Sequence, residues 1–396
     1  MKSARSNYRW VILAVISFAV FVSNYAQYQL SPVAGNIIAD FGLSASQFSS
    51  VFSAPMVLSI VFSLLSGVIA DRFGVKKVLA VGYFVTCAGL IFRIFTASYL
   101  PLYISMILTG CGLAFLNSNS GKIIGSWFSP EKVGTIMGVY LSFSTLAMTI
   151  GLGTTAMMPS YHTAFVLTAA LSAALFVAIC LFMKNAPQSD AAQDIPAVSV
   201  KEGLKIVTGS RSVWLIALCL VGVMGNTVLL NSNLPTALAS RGVDAISSGI
   251  YSSAMSIGNL LGALLVPVIA SKLGRSKPVM ILLSLVGTVG SCFAWLAPVG
   301  PALIACWLVT GFSISGMMPL LMGMPVQLPE IGPRFAGTAG GFTSTLQLLG
   351  AVVLPTYVFV PIANGNFQTL FFFAGACMLL VALLSALLPD TAKKER

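Results

Sequence analysis

The side chains that could do chemistry here are amides, phenols and hydroxyls set at helical spacing inside long apolar stretches. Asn24 and Tyr28 stand one turn apart with Tyr25 and Gln27 beside them; Asn117, Asn119 and Lys122 share a second stretch, and Tyr140 and Ser144 a third. Further on, Asn226 and Asn233 are two turns apart with Asn231 nearby, Ser252, Ser256 and Asn259 form a stripe, and Thr343 and Gln347 make a last pair. Such groups hold a polar solute by hydrogen bonds, or else tie helices to one another. The residues alone leave both uses open. Lys122 adds the one clearly intramembrane cation. Unpaired in an apolar bundle, an ammonium favours an anionic ligand. Alternatively, the five residues to Trp127, about 7.5 Å of helix, let Lys122 snorkel to the interface.

Covalent chemistry is not provided for. His162 is the one histidine, set in the sequence SYHTAF, where a cap or surface role fits it best. The seven cysteines all lie in apolar stretches and none forms a CxxC pair, so they read as small core residues rather than a disulfide frame or a metal site. No nucleophile–base arrangement and no Gly-x-x-x-x-Gly-Lys-Ser/Thr phosphate loop occurs. No catalytic residue, metal or cofactor is expected, and the chain is not expected to be an enzyme.

The elements that carry these residues are membrane spans. Hydrophobic residues make up 57% of the 396-residue chain and charged residues 8%, against about 25% charged in soluble domains. Twelve apolar segments approach the roughly 20 residues a spanning helix needs: 10–31, 45–70, 77–97, 101–126, 133–157, 162–183, 212–233, 246–270, 278–297, 301–325, 335–360 and 367–388. The first follows Lys2, Arg5 and Arg9 as a signal peptide would, but its length and lack of a cleavage site make it a retained span. The polar interruption at 184–211 divides the chain into six-span halves, 1–183 and 212–396.

Charge then sets orientation. With the N-terminus in the cytoplasm, 18 of the 21 lysines and arginines face the cytoplasm, and the net charge of +11 reflects this bias rather than nucleic-acid binding. Arg93 and Arg241 fall near the outer side. For Arg93, snorkelling or helix packing is expected. All ten acidic residues lie in loops, tails or span ends, so no intramembrane carboxylate is on offer for proton or sodium coupling.

The halves are related. Residues 67–77 read GVIADRFGVKK and residues 267–277 read PVIASKLGRSK, so Val68, Ile69, Ala70, Gly74 and Lys77 recur as Val268, Ile269, Ala270, Gly274 and Lys277. Gly134-Thr135 and Gly138 likewise match Gly337-Thr338 and Gly341. The pattern Gly67-x-x-x-Asp71-Arg72-x-Gly74-x-Lys76-Lys77 resembles the signature loop of the major facilitator superfamily, and span count, central interruption and degenerate second copy extend the resemblance over the whole chain.

That resemblance implies an all-α membrane protein of twelve transmembrane helices in two pseudo-symmetric six-helix bundles, with solute bound between them and alternating access. It also implies a cytoplasmic latch of Gly67, Asp71, Arg72, Gly74 and Lys76, with Glu131, Glu330 and Arg334 as candidate partners; plain topology signals or solvated charges are the alternative. Pro267 and Ser271 replace Gly67 and Asp71 in the second copy, so the latch is expected in one half only. Candidate solute contacts in the family's cavity-lining spans are Asn24, Tyr25, Tyr28, Asn117, Lys122, Tyr140, Asn226, Asn231, Asn259 and Gln347.

The expected activity is transport of a small anionic solute, such as a monocarboxylate, across the inner membrane. It rests on Lys122, the cationic balance and the absence of membrane carboxylates. The family's nitrate carriers place arginines in spans 2 and 8, and none is found here. Efflux of cationic or amphipathic compounds is the alternative, although 147–159, AMTIGLGTTAMMP, lacks the Gly-Pro signature of drug antiporters. Carriage of a neutral or quaternary-amine solute on Tyr25, Tyr28 and Tyr140 is a third. The expected partners are the solute, a coupling ion if there is one, and lipid; a monomer is expected, with both termini cytoplasmic.

Overall fold

The computed structural model describes residues 2–128, 130–184 and 200–389; the side chains of 2–7, 63–68, 71–72, 122, 130–135, 200–202, 326, 332–334 and 336–337 are outside that description. Every regular element among the described residues is helical. Among the described residues, eleven helices are long and apolar enough to cross a membrane, or twelve when a bent pair is counted as one span. The chain divides into two compact units, Met1–Ile195 and Pro196–Arg396.

In the first unit, α1 (Lys2–Tyr28) runs through a 3-10 turn at Ser31–Val33 into α2 (Ala34–Phe41). Gly42 then ends the helix in the left-handed region, at φ 62° and ψ 39°. Ser44 and Gln47 cap α3 (Ala45–Ser53) reciprocally, satisfying two otherwise orphaned N–H groups. Pro55 opens α4 (Pro55–Phe73). Because proline cannot donate to the preceding turn, the predicted single span at 45–70 is broken there and bent by 44°. The unit is completed by α5 (Val75–Ile94), α6 (Tyr99–Trp127), α7 (Pro130–Thr154) and α8 (Tyr161–Phe182).

The second unit opens with α9 (Val200–Gly209), a short helix inside what reads as a polar interruption. It continues through α10 (Arg211–Ser240), α11 (Ala245–Leu273), α12 (Ser276–Phe293), α13 (Pro301–Gln327), α14 (Gly332–Val353), α15 (Val360–Ala363) and α16 (Phe367–Leu387). Between α14 and α15 the chain widens into a π turn at Leu354–Phe359, beside Pro355 and Pro361, which withhold two helix donors.

The repeat seen in the sequence is a repeat of packing. In the first unit α1 packs on α7 and α8, α4 on α6, and α5 on α6 and α8; in the second, α10 packs on α14 and α16, α11 on α13, and α12 on α13 and α16. The closest approaches also correspond. A methyl on Gly110 of α6 would overlap the carbonyl of Pro55 on α4, and one on Gly311 of α13 would overlap the carbonyl of Met255 on α11. Gly258 and Gly262, four residues apart on α11, meet the Leu308 and Phe312 carbonyls in the same manner. Small residues let helix backbones touch where no hydrophobic force holds them together in lipid. Each unit has its own apolar core, around Tyr83, Leu116 and Tyr140 in the first and around Leu220, Met280 and Trp307 in the second. Large apolar side chains such as Phe84, Leu181, Leu282 and Leu383 stay exposed on the outside of the spans, as lipid contact requires.

Candidate functional site: polar groups within the spans

The glycines of the repeated loop have a local cause. Gly74 links α4 to α5 at φ 83° and Gly274 ends α11 at φ 64°, a region costly for any residue with a Cβ. The side chains of Asp71, Arg72, Glu131 and Arg334 lie outside the described residues, as do the surroundings of Gly67. Lys76 stands in the first turn of α5. Glu330 is described: its carboxylate accepts from Ser210 Oγ at 3.0 Å, and Ser210 is the residue that caps α10 by accepting from Val213 N–H. Hydrogen bonding from its own backbone N–H, helped by the Ser210 and Ser212 hydroxyls, holds the Glu330 carboxyl below the usual carboxylate range despite an opposing contribution from burial. An anion there also suits the positive end of α10.

Among the first unit's candidates, Tyr25 and Tyr28 are both buried on α1. Tyr25 stacks on Phe21 at 6.0 Å and Tyr28 meets Phe52 edge-on at 5.5 Å. Both side chains border Gly151 of α7, where an added methyl would come within 3.3 Å of Tyr28 Cβ and 3.4 Å of the Tyr25 ring. Asn24 donates one turn back to the Val20 carbonyl at 2.8 Å, and Gln27 crosses to the Phe52 carbonyl at 2.8 Å. Tyr140 of α7 donates to Asn117 Oδ1 of α6 at 3.0 Å, so two residues singled out separately in the sequence form one pair. Lys122 lies on α6 five residues beyond Asn117, its side chain outside the described residues.

In the second unit three of the candidate amides keep an unpartnered atom. Asn226, at the middle of α10, is fully buried, and neither its Nδ2 nor its Oδ1 has a hydrogen-bond partner. On α11, Ser256 Oγ and Asn259 Oδ1 are also buried and unpartnered. On α14, Gln347 gives its Nε2 to Met318 Sδ at 3.6 Å and leaves Oε1 unpartnered. Asn231, by contrast, donates to the Thr227 carbonyl at 2.7 Å. Trp307 of α13 carries a buried, unpartnered indole N–H that the sequence did not single out. An unmade buried hydrogen bond costs about 1–3 kcal/mol, so several in one unit call for a partner.

Of the two uses expected for Arg93, the structure shows helix packing. It does not snorkel: it is fully buried near the end of α5. Its Nη1 donates to the Ala26 carbonyl of α1 at 2.8 Å and its Nη2 to Thr168 Oγ1 of α8 at 2.6 Å. The guanidinium lies 4.3 Å from the Phe165 ring centre. Arg241, at the end of α10, is only partly buried, donating to the Ala297 carbonyl at 2.7 Å and facing the Trp295 ring at 5.3 Å. No grouping of three or more His, Cys, Asp or Glu side chains suited to a metal occurs among the described residues.

Two matched six-span units are the construction of a solute carrier. Residues 16–355 match the profile of the Major Facilitator Superfamily, and the chain belongs to that family. It is similar to a protein described as a probable sulfoacetate transporter of Cupriavidus necator, at 24% identity over 95% of this chain and 93% of the relative. It is likewise similar to a gallate transporter of Pseudomonas putida, at 24% identity over 90% and 88%. Among solved structures, it superposes on a bacterial homologue of the human lysosomal transporter Spinster with a TM-score of 0.77, at 14% identity over 96% of this chain and 95% of that one, which speaks to the fold alone.

Proposed function

We propose that this protein carries a small organic anion, a carboxylate or sulfonate, across the cell's inner membrane by alternating access, with both termini in the cytoplasm. The observation that carries the proposal is the buried, unpartnered carboxamide of Asn226 at mid-span. Solute sites in such carriers lie near the bilayer midplane, and Asn226 Nδ2 is there to donate to an anionic oxygen. Asn259 and Gln347 are further contacts. Within the first unit, the Asn117–Tyr140 pair, with Tyr25, Tyr28 and Lys122, offers a separate set of polar groups to the solute. Three things support an anion over a cation: the names of the two relatives, the cationic balance of the chain, and the absence of carboxylates from the middle of the spans. The charged loop around Asp71 serves as the cytoplasmic latch.

The test is thermal unfolding of the purified, detergent-solubilised protein against gallate, sulfoacetate and benzoate, with the neutral amide of gallate and benzyltrimethylammonium for comparison. Binding stabilises by mass action, about 2.7 kcal/mol at a concentration 100 times Kd. Stabilisation by anions alone supports the proposal; stabilisation by the quaternary amine or the amide alone overturns it.

A further inference from the structure

Arg93 is the one described cation set wholly inside a span, and its surroundings are neutral. Its fork ends on a backbone carbonyl, Ala26, and a hydroxyl, Thr168. Gln29 adds its amide oxygen, which accepts from both terminal nitrogens once the amide is oriented by its neighbours, its nitrogen then donating to the Ala164 carbonyl at 3.2 Å. Met106 Sδ stands 3.6 Å from Nη1 and the Phe165 ring covers one face. No carboxylate is among these partners, and Nε–H has none at all. Dipoles satisfy the fork while leaving the full positive charge uncancelled, in a medium where charge is poorly screened.

Helix packing alone is a weak reason to keep such a group. Burying an ion costs several kcal/mol, and apolar residues of similar volume serve packing as well or better. The charge is also well placed. Arg93 grips α1 at Ala26, the residue next to Tyr25, whose ring borders Gly151 of α7, while the ring of Tyr28 packs on Phe52 of α3. A solute bound within about one helix diameter of the guanidinium, roughly 10–12 Å, would feel its charge.

We propose that Arg93 selects anions at a distance, its uncompensated charge raising the affinity of the solute site without touching the solute. The proposal rests on the anion-transport reading above. At roughly 11 Å and an effective dielectric constant of about 20, one unit charge changes the affinity for a monoanion about tenfold. Arg93 is thus a specificity-determining residue that acts through the field, and the lysine on α6 need not carry selectivity alone.

The experiment measures gallate and sulfoacetate dissociation constants for the purified full-length protein and four variants. Arg93→Gln removes the charge, and Arg93→Lys keeps it while losing the fork. Thr168→Asp leaves the guanidinium in place but supplies the missing counter-charge at the residue Nη2 already grips. Arg241→Gln, at a partly exposed outer site, is the control. The proposal expects Arg93→Gln and Thr168→Asp each to weaken the monoanion gallate about tenfold and the dianion sulfoacetate about a hundredfold, with Arg93→Lys within about threefold of wild type and Arg241→Gln unchanged. Because Thr168→Asp adds an ion pair instead of removing a contact, it decides the matter even if Arg93→Gln does not fold. Unchanged affinity in Thr168→Asp overturns the role of Arg93 and leaves the transport reading intact. Failure of wild type to bind any anion overturns both.

Discussion

Replacing Gly311 by alanine tests the packing that holds the second unit together. Alanine is favoured over glycine in a helix interior by about 1 kcal/mol, so α13 gains intrinsically. Against this, the new methyl would overlap the Met255 carbonyl of α11 and stand 3.0 Å from the Asn259 backbone nitrogen. These are backbone atoms, so no side-chain rotation relieves them and α11 and α13 must separate. Overpacking of this kind costs about 1–3 kcal/mol. Two partners on the backbone place Gly311 at the upper end, for a net loss of roughly 1–2 kcal/mol. Gly340 of α14 is the control, because a methyl there meets nothing within 4 Å. Gly340→Ala keeps only the helix gain, up to about 1 kcal/mol. At roughly 2–4 °C per kcal/mol for a unit of this size, thermal unfolding in detergent should place Gly311→Ala about 3–6 °C below wild type and Gly340→Ala level with it or slightly above. Gly110→Ala, at the matching contact with Pro55, should fall with Gly311→Ala. If Gly311→Ala unfolds at or above the temperature of Gly340→Ala, the helix contact is looser than described and the argument fails.

Asn226→Leu should leave the protein at least as stable as wild type, since it removes two unmade buried hydrogen bonds, yet abolish stabilisation by anions; a clear drop in unfolding temperature with anion binding intact would assign Asn226 to packing. Glu330→Gln should cost roughly 0.5 kcal/mol at neutral pH, a value kept small by exposure. Because the Glu330 carboxyl is held below its ordinary range in the folded protein, its contribution is present above the unfolded value, about 4.3, and is lost as pH falls through the folded one. The variant and wild type should therefore converge as pH falls through the folded value, and a difference that stays constant throughout the acid range refutes the assignment. Tyr140→Phe removes the hydrogen bond to Asn117 and should cost about 0.5–1.5 kcal/mol, read as a lower unfolding temperature.

The spans and the repeat were legible in the sequence because twenty apolar residues and a recurring Gly-Lys loop are local signals. The breaks were not. Pro55 is as acceptable at a helix start as it is disruptive inside one, so only tertiary packing shows that span 2 is α3 and α4. Likewise α10 runs on through Pro235 to Ser240, past the predicted end at 233, and α9 is too short to stand out from a polar stretch. In the site, the amide and phenol positions could be named from helical spacing, but not their satisfaction. Asn24 and Asn226 hold corresponding places, yet one donates to its own helix and the other to nothing. Arg93 looked able to reach the interface because it stands four residues from the predicted end of its span. The acceptors that hold it inside, Ala26 and Thr168, are 67 and 75 residues away in sequence, and no local pattern announces them.

The most direct test of anion transport is counterflow in liposomes. Protein reconstituted with a saturating internal load of unlabelled gallate or sulfoacetate should transiently accumulate the labelled anion from outside, and Asn226→Leu should not. Accumulation of labelled benzyltrimethylammonium or of gallate's neutral amide, with no anion taken up under any load, would contradict the account.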